Sequence, residues 1–252
     1  RQKYLTASEK GPWANSYDRW RNDNLTNRYQ GVQFGYTSAG RYTSWNDIWS
    51  YPGYKERDIL PGDYKYEDWN GDGEINGQDE HPFAFDQTPW LQFSLNAGLQ
   101  WKNLDFNMLL QGSALGSMEY KEPLHEIWGK NGGGALKQFL DRWHPVDPKA
   151  DPYDPSTVWT SGHYAYTGRW AKNNSAFNRV STAYLRLKSI ELGYTFPKLK
   201  QIPNASLRIY ANAYNLLTFT GVKFVDPEHP DDDLGRMYPL NKTYTLGVSL
   251  SF

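Results

Sequence analysis

The chain has 252 residues, a formal net charge of −1 and no cysteine. The near-neutral balance removes the electrostatic case for a nucleic-acid partner, and the lack of thiols excludes a disulfide framework or a thiolate metal site. Mean hydropathy is polar, −0.79, and no run of about 18 apolar residues offers a transmembrane helix, yet aromatics make up 16% of the chain, a combination that suits a membrane β-barrel, whose lipid face uses only alternate residues of short strands.

In chain order, residues 1–7 read as the middle of a weak strand, and this start predicts a C-terminal piece of something longer. Residues 8–90 read as a long extracellular loop. Within it, Asp68, Asn70, Asp72, Gly73, Ile75 and Asp79 spell D-x-N-x-D-G-x-I-x-x-x-D, the spacing of a calcium loop. Hard oxygens stand at positions one, three and five, Gly73 allows the sharp turn, and Glu74 offers its backbone carbonyl. Ile75 anchors the loop to a core, and Asp79 closes the shell where an EF-hand has Glu. Pro61-Gly62 and Pro82 exclude flanking helices, so the spacing predicts structural calcium in a dockerin-like loop. The competing reading is a metal-free Asp/Asn/Gly turn.

Five later segments alternate apolar and polar residues with period two, the mark of a strand with one apolar face. In 91–101 the apolar face is Leu91, Phe93, Leu95, Ala97, Leu99 and Trp101. Lys102-Asn103 is a tight turn into a second strand, with Leu104, Phe106, Met108 and Leu110 on one face and Asp105, Asn107 and Gln111 on the other. Residues 113–183 form a long extracellular loop holding Trp128, Trp143, Trp159 and Trp170, with a short helix expected near 136–143. A third strand covers 184–196, its apolar face Ile190, Leu192, Tyr194 and Phe196, with a bulge near Ser189 reconciling its two halves. A fourth covers 206–216, with Leu207, Ile209, Ala211 and Ala213 outward. The closing strand, 243–252, places Tyr244, Leu246, Val248, Leu250 and Phe252 on one face and ends on an aromatic. Strands of this length suit a tilted bilayer crossing of about 9–11 residues. Short connections at 102–103 and 197–205 alternate with long ones at 112–183 and 218–241, the asymmetry of outer-membrane barrels.

Arg186, Lys188, Glu191 and Arg208 lie within these strands and must face a lumen or pair. The acidic run 226–233 reads as a solvated loop. The histidines show no ligand spacing, and neither G-x-S-x-G, H-E-x-x-H nor a phosphate loop occurs, so the sequence predicts no enzyme.

Several segments resemble one family. Pro61-Gly62-Asp63-Tyr64-Lys65-Tyr66 ahead of the 68–79 loop, Gly35-Tyr36 with Gly40, the run 184–197, Asn215-Leu216-Leu217, Asp226-Pro227-Glu228, Tyr238-Pro239 and the ending 243–252 are similar to SusC/RagA-type TonB-linked outer-membrane transporters. The resemblance implies an all-β, antiparallel transmembrane barrel of about 22 strands, of which this chain supplies about six C-terminal ones, without plug or N-terminal strands. It implies active import of oligosaccharides or peptides across the outer membrane of a Gram-negative bacterium. The implied partners are a SusD-like surface lipoprotein, the TonB complex reached through the missing N-terminal part, and the lipid bilayer. The calcium-type ligands map to Asp68, Asn70, Asp72, Glu74 and Asp79, and no catalytic residue carries over. Membrane-facing residues are expected at Leu91, Phe93, Leu95, Leu99, Trp101, Phe106, Leu192, Tyr194, Leu246, Val248, Leu250 and Phe252. Two other classes compete: an extracellular glycan-binding β-protein, which requires Leu95 and Leu99 to be buried, and a secreted glycosidase.

Overall fold

The computed structural model describes residues 31–52, 58–127, 135–168, 171–172, 174–197, 205–229 and 234–252. The strand expected at 1–7 lies outside them, as do Trp128 and Trp170. The chain divides into two units, one comprising 87–117, 181–232 and 236–252, the other 1–86, 118–180 and 233–235. No helix among the described residues is long and apolar enough to cross a membrane.

In the first unit the period-two segments form one antiparallel sheet. Its strands are β1 Leu91–Trp101, β2 Leu104–Ala114, β3 Tyr184–Phe196, β4 Ser206–Thr220 and β5 Thr243–Ser251, in the order β5-β4-β3-β2-β1. The β1–β2 turn is the expected pair of residues, with Lys102 at φ 55°. The Asn103 carbonyl of that turn accepts from the Thr195 amide of β3 at 2.8 Å.

Residues directly opposed in an antiparallel pair share a face, so the register decides how the faces are composed. One row runs Leu99, Phe106, Leu192, Ala211, Leu246, and the next Trp101, Leu104, Tyr194, Ile209, Val248. The neighbouring rows are Gln100, Asp105, Gly193, Tyr210, Gly247 and Gly98, Asn107, Glu191, Asn212, Thr245. The sheet therefore has one apolar face and one polar face across all five strands. Of the residues expected to face lipid, all but Phe106 are exposed: Leu99 is 65% accessible, Leu246 77% and Phe252 97%. Phe106 is half-buried between the strands flanking β2. Leu95 is also exposed, at 57%, which runs against the glycan-binding reading. A continuous apolar face of this extent marks an interaction surface.

Three details depart from or refine the sequence expectation. The register slips between Leu187 and Ser189 against both neighbours, the bulge that lets Arg186 and Glu191 share the polar face. Strand β2 runs on to Ala114, which pairs with Leu91, and the Phe93 ring fills the space a side chain on Gly112 would take. Strand β4 continues to Thr220 because Asn215, at φ 53°, absorbs the slip and restores pairing up to Tyr184–Thr220.

The second unit is built from short two-stranded pairs: Gln33–Gly35 with His81–Ala84, Ser38–Arg41 with Tyr64–Tyr66, and His144–Pro145 with Trp159–Thr160. Its core is aromatic: Tyr36, Tyr64, Tyr66 and Ile75 pack with Ala165 and Ala171, and Phe177 lies edge-on to Tyr64 at 4.9 Å. The Pro61-Gly62-Asp63 turn is a hub of this core. Gly62, at φ 93°, sits so close beneath Trp143 that a side chain there would collide with the indole. Asp63 accepts from the Leu60 amide at 2.9 Å and the Thr167 hydroxyl at 3.2 Å. Arg41 donates to the Gly62 carbonyl and stacks over the Tyr64 ring at 4.0 Å. The helix expected at 136–143 is reduced to a 3-10 turn, Lys137–Leu140. It stops where the Asp141 carbonyl instead accepts from the His163 and Tyr164 amides.

Candidate functional site

The 68–79 loop forms the tight turn its spacing requires. Gly71 and Gly73 adopt φ 74° and 84°, and Ile75 is buried in the aromatic core. Asp68 accepts from the amides of Gly71, Asp72 and Gly73, and Asn70 Oδ1 accepts from that of Asp72. Asp72 accepts from the Glu74 amide at 2.8 Å and from Asn70 Nδ2 at 2.9 Å, contacts that hold its carboxyl below the usual range. Asp79 is wholly buried and accepts from the Trp69 amide at 2.9 Å and the Asn76 amide at 2.7 Å. The His81 ring, bound to the Asp79 carbonyl at 2.9 Å, stacks on Trp69 at 4.4 Å. The loop's carboxylates are thus engaged with its own backbone. Among the described residues, no three histidine, aspartate or glutamate side chains gather around a point that a metal could fill.

The charged side chains of the strands are all paired on the polar face. Arg208 of β4 reaches across Gly193 of β3 to Asp105 of β2, with Nε 3.1 Å from Oδ1 and Nη2 also on Oδ2. Its Nη2 donates to Glu191 at 2.7 Å as well. The absence of a side chain at Gly193 leaves room for this pair, since a Cβ there would meet the tips of both Arg208 and Asp105 and push them aside. Arg186 of β3 is 1% exposed. Its Nη2 donates to both Asp226 oxygens at 2.8 Å, and its Nη1 to Glu228 at 2.6 Å. Lys188 and the Tyr184 hydroxyl complete the Glu228 environment at 3.2 and 2.9 Å. A bidentate arginine–carboxylate fork is both strong and geometrically selective.

The acidic run expected to be solvated is therefore, at Asp226 and Glu228, a clamp on a buried arginine. Its signal was present in the sequence: an arginine within an alternating strand needs an acid, and the loop that follows the next strand supplies two. Between this loop and the sheet lies a cleft of 650 Å³ lined by Gln92, Ser94, Gln111, Ser113, Tyr184 and Glu228. Nothing in the sequence singled out the two serines or Gln92.

Two curated proteins of Formosa agariphila match over most of the chain. TonB-dependent receptor P3 is 28% identical over 211 residues, covering 77% of this chain and 19% of that protein. TonB-dependent receptor P26 is 27% identical over 239 residues, covering 89% and 22%. The chain resembles part of a SusC/RagA-type TonB-dependent receptor. It spans about a fifth of the length of these relatives. No family model matches it. Solved structures of the RagAB peptide transporter agree in fold: one gives a TM-score of 0.55 at 21% identity, over 88% of this chain and 22% of that one. The closed-closed state of the RagAB peptide importer gives 0.53 at 19% identity. The fold shared with RagAB is the antiparallel all-β arrangement described above, and the relatives are named receptors and transporters.

Proposed function

We propose that the chain forms part of the wall of a TonB-dependent outer-membrane barrel that imports oligosaccharides or peptides. One observation carries this reading: five strands present a continuous exposed apolar face while every charge within them is paired on the opposite face. Water does not favour such a sheet, but a bilayer on one side and a wet lumen on the other do. The outer edges of β1 and β5 carry no partner strand among the described residues. A membrane-spanning sheet must pair its edges, so further strands of a closed barrel, about 22 in all, fit there. The aromatics Trp101, Tyr194, Phe196 and Phe252 share the short-turn end of the apolar face and suit a membrane interface. The similarity to TonB-dependent receptors supports energised transport through TonB. The likeness to RagAB, described as a peptide importer, supports a substrate of oligomer size and a SusD-like lipoprotein partner.

Deleting tonB, or collapsing the proton gradient, in cells carrying the full-length gene is expected to abolish uptake of oligomeric nutrient while leaving surface binding intact. Uptake that persists without TonB contradicts the reading. In the same reading the 68–79 loop takes a structural calcium ion through Asp68, Asn70, Asp72, the Glu74 carbonyl and Asp79. Calorimetry on the purified receptor is expected to show saturable calcium binding that Asp72→Ala abolishes, and silent titration contradicts it.

A further inference from the structure

We propose that residues 222–229 form a movable strap on the polar face, hinged at Phe224 and latched by Arg186, and that transport requires the latch to open. It rests on the import reading and adds a moving part to it.

The strap has three mechanically different sections. Its base is fixed: Val222 is 8% exposed, its amide donates to the Thr220 hydroxyl at 3.1 Å, and that hydroxyl donates to the Ala183 carbonyl at 2.9 Å. Its tip is a self-braced turn. There Asp226 accepts from the Glu228 amide through Oδ1 at 2.9 Å and from the His229 amide through its carbonyl at 3.0 Å. Between base and tip, Phe224 stands at φ 73°. A bulky aromatic in the left-handed region is an outlier, and its ring is 55% exposed, so burial of the ring does not impose that backbone. Such strain persists only where neighbouring contacts over-determine it, and it gathers at switch segments. Two residues on, the latch supplies such contacts: Asp226 and Glu228 are held by Tyr184, Arg186 and Lys188, all on β3.

The latch is strong but local. Its bidentate arginine fork makes the latched position the resting one. Lifting the tip hydrates the carboxylates and the guanidinium together and lets Phe224 return to a common conformation. Opening therefore costs less than deleting either partner of the buried pair. Pro227 and Glu228 border the open cleft, which gives the tip room to turn. A rigid tip, a strained hinge and a breakable latch are the parts of a hinged closure.

The test uses the full-length receptor in lipid vesicles, with any cysteine elsewhere replaced and spin labels at positions 102 and 229. Wild-type protein is expected to give one narrow distance between them. Asp226→Asn with Glu228→Gln removes the charge at nearly constant shape and is expected to add a second, displaced distance. Adding Phe224→Asn, which tolerates the left-handed region, is expected to shrink that second population. Retained heat-modifiable gel mobility identifies folded variants. Transport is read in cells given a mixture of fluorescein-tagged oligosaccharides and peptides. With Lys188→Cys and Glu228→Cys bridged by a short, reductant-cleavable thiol reagent, uptake is expected to be lost and to return on reduction. A single unchanged distance in the uncharged variant, or full uptake through the bridged protein, overturns the inference; should the uncharged variant fail to fold, the bridging result decides. If wild-type cells show no TonB-dependent uptake, the import reading fails, and the distance measurement still decides whether the strap moves.

Discussion

At the residue scale the clearest consequence concerns Arg186. Removing one member of a buried, hydrogen-bonded ion pair leaves an uncompensated charge and costs about 3–5 kcal/mol. Arg186→Leu strands Asp226 and Glu228, so hydrogen exchange at residues 225–229 is expected to rise sharply, and unchanged protection there contradicts the clamp. Two buried groups of the aromatic unit titrate in opposite senses. Burial pushes the Asp63 carboxyl up to about 6. The folded state thus holds that proton more tightly than the unfolded chain, and Asp63 adds stability below about pH 4 that is lost as pH rises through 6. Burial pushes the His125 imidazole down to about 4. Its contribution is present above about 6.5 and lost as pH falls through 4. Infrared difference spectra against Asp63→Asn are expected to show a protonated carboxyl that titrates near pH 6, and a midpoint near 4 contradicts this. Asp63 was visible in the sequence only as part of the Pro61–Tyr66 segment, because its partners Thr167 and Arg41 are remote along the chain.

At the element scale the strands were readable because each exposes one face to a single kind of solvent, so period-two patterning survives from Leu91 to Trp101 and again at the chain end. What was not readable was register. It turns separate stripes into rows such as Leu99–Phe106–Leu192–Ala211–Leu246, while the slip at Leu187–Ser189, legible as a bulge in the sequence, sets the rows beyond it. The 68–79 motif gave its turn and its Ile75 anchor correctly. The hydrogen bonds that engage its carboxylates form within the loop, several of them Asx turns from a side chain to the amide two residues on, and the same Asp/Asn/Gly spacing suits a calcium loop equally well. The row assignment makes a direct test. If the sheet is part of a membrane wall as proposed, Leu246→Arg, on the apolar face near mid-strand, is expected to destabilise the full-length protein in lipid by about 2–4 kcal/mol. Thr245→Arg, one residue away on the polar face, should cost far less. Equal effects in folding titrations into vesicles would contradict the facing of β5.

At the scale of the whole molecule, the two faces of the sheet require two different environments. The apolar face has no charged residue in its rows, while the polar face carries the Arg208–Asp105–Glu191 network, the Arg186 clamp and the cleft. A soluble protein would cover the first face with its own chain, and among the described residues nothing does so. These 252 residues contain no cysteine, so single cysteines introduced here, with any elsewhere in the full-length protein replaced, can carry labels that test the central claim. Fluorophores at positions 95, 192 and 246, and in parallel at 94, 212 and 245, can be compared for quenching by lipid-borne nitroxide and by water-soluble iodide after reconstitution in vesicles. Lipid quenching is expected at 95, 192 and 246 and aqueous quenching at 94, 212 and 245; iodide quenching of all six, with none by lipid, would contradict the membrane-wall account.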